Sequence, residues 1–88
     1  MKTFKNKKYS IEHTRQRLKE RFNLYISDDD YNDMCNIVQR NGVFISTDNN
    51  GDQTIYDIMF KGMSMSVVWD NLSGYIKTIF DRKSQKIK

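Results

Sequence analysis

The chain contains no proline, one cysteine and one histidine among 88 residues. A lone cysteine, Cys35, excludes an internal disulfide and a cysteine-built zinc site. A lone histidine, His13, excludes a two-histidine acid–base pair within one chain. Long apolar runs are missing too. No stretch approaches the roughly 20 residues that span a bilayer. The opening "MKTFKNKKYS" has lysines with no apolar segment behind them, so it does not read as a secretory signal. There is no P-loop, no GxGxxG, no CxxC and no Ser-His-Asp arrangement. These absences predict a reduced, cytoplasmic protein with no membrane association and no bound cofactor or metal.

What is present is one small domain over residues 1–88, with basic ends at 1–9 and 82–88. A chain of this length buries roughly 60–65% of its unfolded surface, which leaves room for a shallow groove and not for a deep enclosed site. The net charge of +4 conceals a pattern. Residues 1–21 carry +6, residues 22–74 carry −6 and residues 75–88 carry +4. If the two basic ends meet in space they form a patch suited to phosphates; otherwise they are solvated tails.

Periodicity divides the chain in two. Ser10 reads as the N-cap of a helix over 11–22, with Ile11, Leu18 and Phe22 within about 40° of one another. Ser27 opens a second helix, with Asp30 three residues later as in a capping box and Asp28 and Asp29 at the positive end of the dipole. Tyr31, Met34, Cys35 and Val38 make its buried stripe, and Asn41-Gly42 ends it, with Gly42 expected in the left-handed conformation. Beyond Gly42 the period falls to two. "VFIST", "TIYDIMF", "MSMSVVW" and "YIKTIF" read as strands, joined by "DNNGD", Lys61-Gly62 and "DNLSG". The expected fold is α+β, ordered α-α-β-β-β-β, with two helices covering one face of an antiparallel meander.

The first helix gathers His13, Arg17 and Arg21 at i, i+4 and i+8, on a ridge read as pointing away from the apolar stripe. Arg15 falls beside the stripe instead and reads as snorkelling from the core edge. Histidine moves protons at working pH and arginine grips phosphate bidentately. The ridge therefore reads either as a group that holds or cleaves a phosphodiester or as the polar side of an amphipathic helix, with Glu20 pairing along it.

The string from Tyr9 to Arg82 resembles the RelE-like group of small ribonucleases, which joins the barnase, EndoU, colicin and RelE toxins. The resemblance rests on "H-x-x-x-R-x-x-x-R" at His13, Arg17 and Arg21, on the acidic-capped "SDDDYNDM", on "VVWD" and on "YIKTIF". It implies metal-independent RNA cleavage in a basic groove. His13 would be the acid–base group, with Arg17 steadying the phosphate. Arg21 would assist or be structural. Lys77 and Thr78 fall where the family places polar catalytic side chains, and Arg82 would add a phosphate contact. The second proton-transfer role would go to Glu20, Lys77, Tyr75 or water. The 2′-hydroxyl would attack phosphorus to leave a 2′,3′-cyclic phosphate, so RNA is required. This sequence departs from the pattern in its single histidine, in "KTFKNKKY", which alternates poorly for the fold's first strand, and in Asp28–Asp33, which would repel RNA in the groove.

Other constellations read as structural. Asp48, Asn49, Asn50 and Asp52 lack calcium-loop spacing and read as a turn. Cys35 reads as an inert core thiol. Tyr56, Phe60, Trp69, Tyr75 and Phe80 would stack bases if exposed; Phe60 and Trp69 are assigned to the core. The alternative function is a non-catalytic module that binds a protein or nucleic acid, such as an accessory protein or inhibitor from a phage or mobile element. Its partner would be an antitoxin or a host protein. Oligomeric state is open.

Overall fold

A computed structural model describes residues 7–80 of the chain. Two helices, α1 (Lys7–Phe22) and α2 (Asp28–Asn41), precede four strands: β1 (Val43–Thr47), β2 (Gln53–Phe60), β3 (Met63–Asp70) and β4 (Tyr75–Phe80). The strands form one antiparallel sheet in chain order, so the protein has the α-α-β-β-β-β arrangement of an α+β fold. The basic residues Lys2, Lys5, Arg82, Lys83, Lys86 and Lys88 lie outside the described residues, as does most of "KTFKNKKY".

α1 starts earlier than the capping signal suggests. Ser10 is not its N-cap; the helix begins at Lys7, and Ser10 is buried within it at 1% exposure. α2 follows its signals closely. The Ser27 hydroxyl accepts from the Asp30 backbone N–H at 3.1 Å, and the Asp30 carboxylate accepts from the Ser27 N–H at 3.0 Å. That bond to the Ser27 backbone holds the Asp30 carboxyl below its usual range, with a smaller contribution from nearby Lys61. Tyr31, Met34, Cys35 and Val38 are buried as their spacing predicts.

Gly42 closes α2 differently from expectation. Its φ of −63° and ψ of 136° are extended, not left-handed. Glycine is needed there for space. A Cβ would lie 2.6 Å from the Val38 carbonyl oxygen and 3.1 Å from the Tyr56 ring. The Lys61-Gly62 turn does use positive φ, 50° and 79°, in a two-residue type I′ hairpin between the paired Phe60 and Met63.

The core lies between the helices and one sheet face. Met65, Val67 and Trp69 of β3, Ile58 and Phe60 of β2, and Ile76 and Ile79 of β4 are buried against Leu18, Tyr31, Met34 and Val38. Each such side chain contributes about 1.5–3 kcal/mol on burial. The other face is mixed. Across it, Val43, Asp57, Ser66 and Phe80 form one row through successive pairings. The fully buried Ser66 hydroxyl donates to Asp57 at 2.6 Å.

β4 carries a bulge. Ile76 pairs with Trp69 and Thr78 with Val68, which leaves Lys77 as the extra residue. Beside it the Tyr31 hydroxyl donates to the Ile76 carbonyl at 2.5 Å, a buried bond between α2 and β4. Burial pushes the Tyr31 phenol far above its ordinary value, with Cys35 and Tyr75 adding to the shift.

Three outcomes follow in chemical denaturation. Tyr31→Phe leaves a buried carbonyl without its donor and should cost about 1–3 kcal/mol. Wild-type stability should also fall as the pH rises above about 10, because the unfolded phenol ionises there and the folded one resists; Tyr31→Phe should flatten that decline. Gly42→Ala should destabilise by about 1–3 kcal/mol through overpacking against Val38 and Tyr56.

Candidate nucleic-acid interface

α1 packs along β4 because small residues face the strand. Ser10, Thr14 and Leu18, at i, i+4 and i+8, are 1%, 0% and 0% exposed. Ile11 and Phe22 are only half-buried at the core margin. The buried stripe is therefore rotated about 60° from Ile11 toward the His13 side. His13 and Arg17 do not point away from the packed face, as the periodicity suggested. They form one flank of it.

The two flanks of α1 have different neighbours. On one, Arg15 Nε donates to the Ile26 carbonyl at 3.1 Å and its guanidinium pairs with Asp28 at 2.6 Å, which ties α1 to the start of α2. Lys8, Ile11 and Glu12 lie there as well. His13 is about 160° round the helix from Arg15. With α2 on the Arg15 side, the His13–Arg17 flank is on the side of α1 turned from α2. The acidic residues at the start of α2 thus sit on the far flank and do not face His13.

His13 is half-buried and stacks on Tyr9 one turn earlier, with ring centroids 6.0 Å apart and planes 3° apart. Arg17, one turn later, is half-buried; its Nε is fully enclosed without a hydrogen-bond partner. Its guanidinium reaches Glu20 at 4.0 Å, the outer limit of an ion pair and its one carboxylate partner among the described residues. Arg21 is exposed near the end of α1.

β4 supplies the other half. Thr78 pairs with Val68 and belongs to the sheet face away from the helices, Tyr75 packs against the core near Tyr31, and Lys77 bulges out of register between them. All three are half-buried. The Thr78 hydroxyl makes only a long 3.5 Å contact with the Ile79 carbonyl. α1 and β4 touch, so His13, Arg17 and Lys77 lie on neighbouring elements with Arg21 at the end of α1, whereas Thr78 is on the opposite sheet face and Tyr75 packs against the core. Arg82 lies outside the described residues.

Tyr9 is the site residue that the sequence reading passed over. Its signal was its place at i−4 from the only histidine. The remaining candidates hold structural places. Phe60 and Trp69 are core, Cys35 is a buried thiol, and the Asp48 carboxylate accepts from the Asp52 N–H at 2.9 Å to close its turn. Among the described residues no group of three or more acidic, histidine or cysteine side chains could hold a metal, and no helix is long and apolar enough to cross a membrane. No protein-family model, curated protein or solved structure matches the chain.

Thr14 offers a direct check of this interface. Its hydroxyl is buried without a partner. Thr14→Val keeps the shape and removes the orphan, so it should raise stability by about 1 kcal/mol in urea denaturation.

Proposed function

We propose that the α1–β4 edge binds RNA through its phosphates, with Arg17 and Lys77 as the cationic grips, Arg21 as a further contact, and Tyr9 and His13 as ring surfaces for bases. One observation carries the reading. α1 packs on β4, and its His13–Arg17 flank is on the opposite side of the helix from Arg15, which engages Asp28. A cationic groove with aromatic side chains is the usual chemistry for single-stranded nucleic acid. The choice of RNA rests on the resemblance to the RelE-like ribonucleases.

A second reading, metal-independent cleavage, is favoured by His13 in particular. Its ring is stacked on Tyr9 and stands one turn from Arg17. In that reading His13 takes the 2′-hydroxyl proton, Arg17 steadies the charge that grows on phosphate, and Lys77 or water protonates the 5′ leaving oxygen. The product is a 2′,3′-cyclic phosphate.

Fluorescence anisotropy with a mixed-sequence single-stranded RNA tests binding. Arg17→Ala and Lys77→Ala should each weaken it, and each should reduce the slope of log K against log salt by about 0.7. Incubation of the same RNA with EDTA present tests cleavage. Wild type should give cyclic-phosphate ends, His13→Ala should not, and the matching DNA should stay intact. Binding without cleavage leaves the non-catalytic module; no binding at low salt overturns the proposal.

A further inference from the structure

We propose that Asn50 is a site of spontaneous deamidation, a covalent ageing of the β1–β2 turn that needs no enzyme and takes water as its only co-reactant. Asparagine is a chemically labile residue, and a following glycine makes it more so. With no side chain in the way, the glycine nitrogen can approach the asparagine amide carbon closely. The chain holds two such pairs, Asn41-Gly42 and Asn50-Gly51. Residue order does not separate them, but the fold does.

Asn41 is locked. It is the last residue of α2, and the Gly42 N–H donates to the Val38 carbonyl at 3.1 Å as the helix closes. Gly42 is half-buried, with the Val38 carbonyl and the Tyr56 ring against its Cα. Cyclisation there would take Asn41 out of its helical backbone angles and turn Gly42 where there is no room. Asn50 meets neither restraint. It and Gly51 are exposed, and nothing lies within 4 Å of the position a Gly51 Cβ would occupy. One bond holds the Gly51 nitrogen, from its N–H to the Asp48 carbonyl at 3.1 Å, and an exposed turn bond opens at small cost. The turn's other bonds hold the Gly51 carbonyl and the Asp52 N–H, not that nitrogen.

Once the turn opens, the Gly51 nitrogen gives up its proton to solvent and attacks Cγ of Asn50. The N–Cγ bond forms, the Cγ–Nδ2 bond breaks, and Nδ2 leaves as ammonia with a proton taken back from solvent. Water then opens the cyclic imide at either carbonyl. One opening leaves aspartate; the other leaves isoaspartate, whose main chain runs through the side-chain carbon. The net change is amide plus water to carboxylate plus ammonium. Either product adds a negative charge between Asp48 and Asp52. Isoaspartate also lengthens the backbone within a turn that Asn71 clasps. The Asn71 side chain donates to the Gly51 carbonyl and the Thr54 hydroxyl, both at 2.9 Å, and its backbone N–H donates to the Asp52 carbonyl at 2.8 Å. That clasp joins the β1–β2 turn to the β3–β4 turn, so the modification loosens one end of the sheet.

The experiment is a warm, mildly alkaline incubation of the purified full chain, followed by mass spectrometry of peptides cut at aspartate. Cleavage at Asp48 puts the two asparagine–glycine pairs in separate peptides. Amide-to-acid conversion should accumulate in the peptide holding Asn50 and not in the one holding Asn41. In denaturant the two sites should convert at similar rates, which assigns the difference to the fold. Asn50→Gln should abolish the conversion in the turn, and Asn41→Gln should leave it unchanged. Wild type should lose stability to urea as it ages, and the Asn50→Gln protein should not. The proposal is overturned by equal conversion of both sites in the folded protein or by conversion of Asn41 first. It is also overturned if Asn50 stays intact in the folded protein for as long as denaturant takes to convert both sites.

Discussion

The Tyr31 hydroxyl and the Ile76 carbonyl meet across 45 residues of chain, in the interior, at 2.5 Å. That bond lies where β4 leaves regular register with β3, since Lys77 has no partner across the ladder. A bulge weakens strand pairing at its own position. The Tyr31 phenol compensates from α2, and its burial keeps it protonated, so it stays a donor. Once β4 is held, Ile76 and Ile79 fill the core from one side and Ser10, Thr14 and Leu18 of α1 close against the strand. The candidate nucleic-acid edge is therefore secondary to a buried hydrogen bond that ties one of its two elements, β4, to α2.

Electrostatic layout follows from the same packing. α1, whose described residues carry Lys8, Arg15, Arg17, Lys19 and Arg21 against Glu12 and Glu20, lies beside Lys77 of β4, while the acidic middle forms α2, β1, β2 and the turns between them. Two ion pairs mark the boundary: Arg15 with Asp28 and Lys61 with Asp30, at 2.6 and 3.8 Å. Both draw acidic side chains of the α2 cap toward cations outside the His13 flank. The sheet thus has two unlike edges: β4 is flanked by α1, and β1 is exposed along its length.

Much of this was legible in residue order. The change of period at Gly42, the capping box at Ser27 and Asp30, and the Lys61-Gly62 turn are local signals, and local signals define elements. The buried side of α1 was not legible. Ile11, Leu18 and Phe22 suggested an apolar stripe, yet the packed line runs through Ser10 and Thr14, because a helix that lies close to a strand needs small side chains more than apolar ones. The role of Gly42 was visible but its cause was not, since the close approach of Tyr56 exists only in three dimensions. The bulge at Lys77 and the bond from Tyr31 join residues far apart in the chain, and no periodicity encodes them. Of the candidate site, the His13–Arg17 spacing was apparent from the start, whereas its orientation relative to β4 required the fold.

Every strand pairs with its neighbour in the chain, so the meander assembles from adjacent hairpins with little loop entropy to overcome. The helix–strand contact is the exception: α1 is the first described element and β4 the last. During synthesis α1 meets α2 early, through Arg15 with Ile26 and Asp28, but it meets its strand only after the hairpins between them have been made. Its serine- and threonine-lined side stays wet until β4 arrives. A chain stopped before β4 would carry those hairpins without the α1–β4 edge, so that edge forms after the rest of the sheet.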